Sequence, residues 1–156
     1  MEYKTNVMRL LDQKKIPYES YSYADTDAIS GTEVAEVLGE NPAQVFKTLV
    51  TVSKSNQHYV FVIPVGKELD LKRAAASVGE KSVRMLPAKE LLPLTGYVHG
   101  GCSPIGMKKV FRTVVDESAS EFETIIFSAG KIGYQVEITL PDLSRILPHT
   151  ITSLSE

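Results

Sequence analysis

The sequence predicts an α+β fold: one compact domain over residues 1–156, with a mixed, mostly antiparallel β-sheet flanked by short helices. Three observations predict it. Strand-like runs outnumber helical ones along the chain. Several of those runs are immediate neighbours, as with residues 46–52 and 58–65, which are separated only by a short polar loop; a doubly wound fold needs a helix between successive strands. The 156 residues are 43% apolar and 23% charged, which suits a single domain with a true core.

Each element has a local reason. Val7, Met8, Leu10 and Leu11 place an apolar stripe on a helix over residues 5–14, and Pro17 stops it. Residues 18–23 read as a short strand. Ser30-Gly31-Thr32-Glu33 has capping-box spacing, with Val34, Val37 and Leu38 as the expected buried face and Gly39 as the stop. Asn41-Pro42 opens a short helical turn, with proline at its first position. Residues 46–52 and 58–65 are strands joined by the hairpin loop 53–57. Asp70 caps a helix running to Val78, closed by Gly79. A further helix is expected over 87–92, strands over 110–115, 124–127 and 134–138, and a last helix over 141–147.

Charge and cysteine content narrow the chemistry. A net charge of -2 excludes a generic nucleic-acid coat, so any contact with RNA must come from a local patch. Lys72, Arg73, Lys81, Arg84, Lys108, Lys109 and Arg112 cluster in the central segments, as a phosphate-facing rim or as a solvated surface. No apolar run approaches the roughly 18 residues of a membrane span, and Met1-Glu2-Tyr3-Lys4-Thr5 lacks the apolar stretch of a signal peptide. A cytoplasmic location is expected. The 1 cysteine provides no intramolecular disulfide framework. His58, His99 and His149 are too scattered to resemble a metal site, and no metal or cofactor is expected. There is no P-loop, dinucleotide fingerprint or nucleophile elbow.

Four features carry the candidate chemistry. The first is the loop Val98-His99-Gly100-Gly101-Cys102-Ser103-Pro104-Ile105-Gly106-Met107-Lys108-Lys109. Its Gly100 and Gly101 let bare backbone groups approach a small polar ligand, and Pro104 stiffens one end. A plain Gly/Pro turn between strands would look the same. The second is Lys47 on the run Phe46-Lys47-Thr48-Leu49, which alternation places on the face of Leu49 and Thr51. It reads as a phosphate- or ribose-binding cation or as an edge lysine that opposes aggregation. The third is Ser128-Ala129-Gly130-Lys131-Ile132-Gly133, a small-residue turn with a hydroxyl to offer, or simply a hairpin. The fourth is Cys102, which acts as a nucleophile only if a base such as His99 lowers its pKa, and otherwise is a small buried apolar residue.

These residues resemble the YbaK/EbsC family, the stand-alone relatives of the editing domain inserted in bacterial prolyl-tRNA synthetase. The resemblance covers nearly the whole chain. It rests on Val45-Phe46-Lys47-Thr48-Leu49, on Leu69-Asp70-Leu71-Lys72, on the stretch from Thr95 through the glycine loop to Lys109, on Glu121-Phe122-Glu123-Thr124-Ile125, and on Ser128-Ala129-Gly130-Lys131. The resemblance implies the editing-domain fold and a deacylase that clears mischarged tRNA in trans, on Cys-tRNA(Pro) and also Cys-tRNA(Cys). It implies that Lys47 holds the terminal nucleotide, that Gly100 and Gly101 present backbone to the aminoacyl group, and that Tyr23, Ser30, Thr48, Ser103, Pro104, Ser128 and Gln135 line the pocket. Ser30 stands where some relatives carry Phe, Ala129 where Gly is common, and Gln135 where some carry Asp; these departures touch the pocket wall.

By the same resemblance the substrate's own thiol attacks its carbonyl, so the protein supplies position and charge instead of a nucleophile. The partners it implies are the aminoacyl-tRNA acceptor end and prolyl-tRNA synthetase, which would select the tRNA. Water-mediated hydrolysis of an Ala or Ser ester, and a non-catalytic binding module on the same fold, are the alternative readings.

Overall fold

The computed structural model describes residues 3–156. Met1 and Glu2, part of the segment read above for a signal peptide, lie outside the described residues. Two sheets, not one, organise the chain. A five-stranded sheet has the order β4-β2-β3-β5-β8, and a three-stranded sheet has the order β1-β7-β6. The larger is built from β2 (Phe46–Ser53), β3 (His58–Pro64), β4 (Val83–Met85), β5 (Arg112–Asp116) and β8 (Thr150–Thr152). The smaller combines β1 (Glu19–Ser22), β6 (Thr124–Ser128) and β7 (Tyr134–Thr139). Neighbours are antiparallel except β3–β5 and β5–β8, which run parallel.

Five helices pack on this frame: α1 (Asn6–Gln13), α2 (Gly31–Leu38), α3 (Leu71–Ser77), α4 (Ala88–Thr95) and α5 (Leu140–Ile146). Their starts follow from side-chain oxygens that satisfy orphan N–H groups. Thr5 accepts from Met8, Asp70 from Lys72 and Arg73, and Thr139 from Asp142. Ser30 and Glu33 form the reciprocal capping box, and Gly39 closes α2 in the left-handed conformation. Val34 and Ala35 are the buried residues of α2, whereas Val37 is 53% exposed. The expected stripe is thus turned by one position, because α2 packs through Ala35 against Val45 and Ile126.

The helix expected over 87–92 continues to Thr95, through Pro93. Proline removes one helical N–H. The Thr95 hydroxyl donates to the Leu91 carbonyl, Gly96 N–H donates to Leu92, and Leu91 and Leu94 pack on the main core. The short strands β4 and β8 carry no alternation strong enough to predict them. β8 is exposed throughout and is held beside β5, where the Asp116 carboxylate accepts from the N–H groups of Leu154 and Ser155. Val110, expected in a strand, is 93% exposed and precedes β5.

The core follows from period two on β3. Val60 and Val62 face a cluster shared with Val7, Leu11, Phe127, Val136 and Leu143. Phe61 and Ile63 face Ala74, Ala75 and Val78 of α3 on the other side. One isolated parallel bridge, Val45 to Ile126, links the two sheets, which also pack together through the main core, where Val50, Val60 and Val62 join Phe127, Val136 and Ile138.

Candidate functional site

A cleft of about 360 Å³ is lined by residues of both sheets. One wall is the edge of β2. β4 pairs with β2 only over residues 51–53, and Leu86 N–H reaches the Val50 carbonyl. Peptide groups alternate direction along a strand, so Thr48 points its backbone N–H and C=O to the same edge as Val50, beyond the end of β4. Lys47 and Thr48 lie on opposite faces of the strand, yet both line the cleft, because the cleft lies against an edge. The Thr48 hydroxyl is buried without a hydrogen-bond partner. Lys47 is half-buried, with no carboxylate in ion-pairing range among the described residues.

The opposite wall comes from the small sheet. Ser128 and Gln135 are register partners on β6 and β7, so their side chains share a face, and both line the cleft. Ser128 accepts from Gly130 N–H at 3.1 Å, which fixes its hydroxyl oxygen in the hairpin. Gln135 is 5% exposed, and its amide nitrogen donates to both carboxylate oxygens of Glu40, at 2.7 and 3.1 Å. Tyr23 continues this wall; its N–H donates to Gly133.

The mouth is made by α2 and the glycine loop. Gly31 begins α2 directly against Val65: a Cβ there would stand 2.4 Å from a Val65 methyl, so only glycine lets α2 dock at this distance. Ser30 lines the cleft while its hydroxyl caps Glu33. Gly100, with φ of +90°, turns the loop so that its backbone faces the cleft. Gly101, Ser103 and Pro104 stand outside the lining and support it. Gly101 donates to the Val98 carbonyl and lies against the Ile132 backbone, and the Ser103 hydroxyl accepts from Ile105 N–H. Of the expected site residues, Tyr23, Ser30, Lys47, Thr48, Gly100, Ser128 and Gln135 therefore meet at one cleft. Ile29, Thr32, Leu91 and His99 join them without having been singled out as pocket residues. Ile29, 83% exposed at the mouth, was the most visible of these, since an exposed isoleucine ahead of a helix cap has no core role.

Cys102 also lines the cleft, and burial pushes its thiol up to about 12. At neutral pH the thiol is then held protonated, whereas the thiolate is the nucleophilic form. No group of three or more His, Cys, Asp or Glu side chains placed to hold a metal ion occurs among the described residues. No helix among them is long and apolar enough to cross a membrane. The cleft thus offers a lone ammonium, hydroxyls, an amide and exposed backbone, with no activated nucleophile of its own.

Comparison with known proteins places the chain among relatives of known name and fold. The chain is 50% identical over 136 residues to an Enterococcus faecalis (strain ATCC 700802 / V583) protein named "Putative Cys-tRNA(Pro)/Cys-tRNA(Cys) deacylase EbsC", covering 86% of this chain and 83% of that one. It is 30% identical over 111 residues to the proline–tRNA ligase of Shouchella clausii (strain KSM-K16), covering 71% of this chain and 19% of the ligase. A crystal structure described as "a putative trans-editing enzyme for prolyl tRNA synthetase" superposes with a TM-score of 0.83 at 22% identity, over 99% of both chains, and shares the fold. Hypothetical protein APE2540 does so with a TM-score of 0.88, again at 22% identity, over 97% of this chain and 100% of the other. The model of the aminoacyl-tRNA editing domain matches residues 26–146, and this chain belongs to that family.

Proposed function

We propose that the protein is an aminoacyl-tRNA deacylase that acts in trans on cysteine esterified to tRNA(Pro). The observation that carries the reading is a cleft with a lone cation and backbone donors but no ionisable protein nucleophile. That arrangement suits a substrate that brings its own. An aminoacyl ester is already activated, and a cysteinyl group has a thiol within reach of its own carbonyl carbon. Attack forms the C–S bond and breaks the C–O bond to the ribose. The thiol proton ends on the ribose hydroxyl, and a cyclic thiolactone leaves.

The chain's own residues act by position and charge. Lys47, on the β2 edge, holds the ribose or phosphate side of the terminal nucleotide. Thr48 offers an unpaired hydroxyl, and Gly100 offers backbone to the oxygen on which charge develops. Holding thiol and carbonyl in a near-attack arrangement supplies up to about 7 kcal/mol or more of the barrier. Alanine and serine esters fit a small pocket as well as cysteine does, but they provide no comparable nucleophile, so the chemistry discriminates where size cannot. Selection of the tRNA falls to a partner, prolyl-tRNA synthetase, because a chain of net charge -2 has no overall positive field with which to capture a whole tRNA. The EbsC relative, named for both tRNA(Pro) and tRNA(Cys), supports the acyl assignment.

Deacylation of tRNA(Pro) charged with Cys, Ala and Ser tests the proposal. Fast release from Cys alone, with a thiolactone trapped by rapid quench, is the expected result. Equal rates on Ala or Ser would replace it with water-mediated hydrolysis. Binding without turnover on all three would make the chain a binding module.

A further inference from the structure

Thiol attack on the ester moves a proton from the substrate's sulfur to the ribose oxygen, and a side chain that takes it and returns it lowers the barrier. No Asp or Glu lines the cleft; its titratable side chains are Tyr23, Lys47, His99 and Cys102. Of these side-chain types, imidazole ordinarily exchanges a proton between pH 5 and 8. The Lys47 ammonium has protons to donate and no lone pair to accept another. The Cys102 thiol is held protonated by burial alone, so the His99 ring is not engaged in activating it.

The structure leaves that ring uncommitted. His58 stands edge-on to Phe111, with ring centroids 5.9 Å apart, and His149 Nδ1 lies 2.9 Å from the Leu147 carbonyl oxygen. The exposed ring of His99 has no hydrogen bond, ion pair or ring contact among the described residues. Its backbone, in contrast, is fixed. Gly101 N–H donates to the Val98 carbonyl at 3.0 Å, which closes a turn with His99 and Gly100 at its centre. The φ of +90° at Gly100 is what the third position of a type II turn requires. Consecutive Cα atoms are about 3.8 Å apart, so the imidazole starts one residue from the Gly100 backbone that faces the developing oxyanion. In the reaction the thiol sulfur and the ribose oxygen are bonded to the same carbon, which brings both within reach of one ring.

We infer that His99 is the proton carrier of the deacylation, a catalytic residue and not a nucleophile. The neutral imidazole takes the proton of the substrate thiol as the sulfur attacks. The C–S bond forms, and the carbonyl electron pair moves onto its oxygen. As that pair returns, the C–O bond to the ribose breaks, and the imidazolium gives the same proton to the leaving oxygen. The ring ends neutral, and a thiolactone and a free ribose hydroxyl leave with no net change in protons. This deepens the deacylase reading and rests on it. The charged and titratable groups that share the cleft with the ring are Lys47 on β2, Tyr23 beside β1 and Cys102 on its own loop, while α4 presents Leu91 there. Lys131, on the hairpin against which the loop packs, is turned toward the Tyr3 hydroxyl at 2.9 Å.

The test is single-turnover deacylation of Cys-tRNA(Pro) between pH 5.5 and 8.5 by the full chain, by His99→Gln and by His99→Ala. General acid–base catalysis contributes about 10²–10⁴-fold, so both variants are expected to lose about a hundredfold or more at saturating enzyme and pH 7. Half-saturation and melting temperature are expected to stay unchanged. The wild-type rate is expected to level off above the imidazole range, whereas that of His99→Gln keeps rising as hydroxide takes over ionisation of the thiol. Added imidazole is expected to restore His99→Ala along a saturating curve. A His99→Gln variant with the wild-type rate and profile overturns the role. So does a loss equal at every pH, with weaker binding and no response to imidazole, as a residue that only shapes the cleft would show. A wild type that spares Cys-tRNA(Pro) but cleaves Ala- or Ser-tRNA(Pro) in a His99-dependent step leaves the proton carrier standing, with water as the attacking group, and removes the cysteine reading. A wild type inactive on all three esters overturns both.

Discussion

Lys47 and Cys102 face the same cleft, and the physical difference between them decides which bears on turnover. Lys47 has no carboxylate partner among the described residues, so its charge is available to a ligand. Lys47→Ala is expected to keep its circular dichroism spectrum and lose most single-turnover deacylation, since a half-buried edge position tolerates alanine. A folded variant with wild-type rate would remove Lys47 from the site. Cys102 is buried with its thiol held protonated. Cys102→Ala is expected to stay within about tenfold of wild type, whereas loss of a true nucleophile costs several orders of magnitude. A dead variant, with a cysteinyl group trapped on the wild-type enzyme, would reassign the reaction to the protein's own sulfur. Gly100→Val should fail for a different reason: its φ of +90° is strained for any side chain and worst for a β-branched one. Normal turnover by that variant would show that the loop does not form the acyl wall.

At the scale of elements, sequence reading succeeded where a local rule acts alone. The α2 capping box, the Asp70 cap, the Asn41-Pro42 turn and the β2–β3 hairpin are each specified within a few residues. It failed where the stabilising partner is distant. β8 is three exposed residues, Thr150, Ile151 and Thr152, whose strand conformation depends on β5, and the Glu40–Gln135 contact joins positions 95 residues apart in number (135 less 40). Nothing near Glu40 in the chain marks it. Asp116 shows how a distant partner is secured. Burial alone would raise its carboxyl, but hydrogen bonds from Ser118, Leu154 and Ser155 outweigh burial and hold it below the ordinary carboxylate range. A depressed folded pKa means stability present above the unfolded value and lost as pH falls through the folded one. Asp116→Asn should therefore lower stability by about 1–3 kcal/mol at pH 7, as loss of hydrogen bonds to a charge does. The deficit should narrow in acid, below the ordinary aspartate range. Urea melts at pH 7 and pH 3 check it, and an unchanged midpoint at pH 7 would show that the tail is held by packing alone.

For the molecule as a whole, the fold class was legible, but its division into two sheets was not. Period two reports which side of a strand is buried; it does not say which strand lies beside which. The glycine loop, Lys47 and the Ser128 turn were readable as separate features, and only the crossing of the sheets brings them to one cleft. The near-neutral charge has its own consequence. With few phosphate contacts available, affinity for free tRNA should be weak and should change little with salt. Adding prolyl-tRNA synthetase should then lower the apparent KM for Cys-tRNA(Pro) with little change in kcat. A KM indifferent to the synthetase would mean that the chain finds its tRNA unaided.

The bridge between Val45 and Ile126 ties the two walls of the cleft together like the closed end of a jaw. Lys47 rides on one jaw, and Ser128 and Gln135 ride on the other. The gape is set at that end, by how Ala35, Val45 and Ile126 pack together, instead of by the teeth. A change at Ala35 or Ile126, neither of which lines the cleft, adjusts the width of the bite without altering any group that touches substrate. Ile126→Val, at a residue outside the cleft lining, should accordingly shift which acyl sizes are accepted while leaving every chemical contact in the cleft in place. Relatives that share these cleft residues can then differ in diet through that end alone.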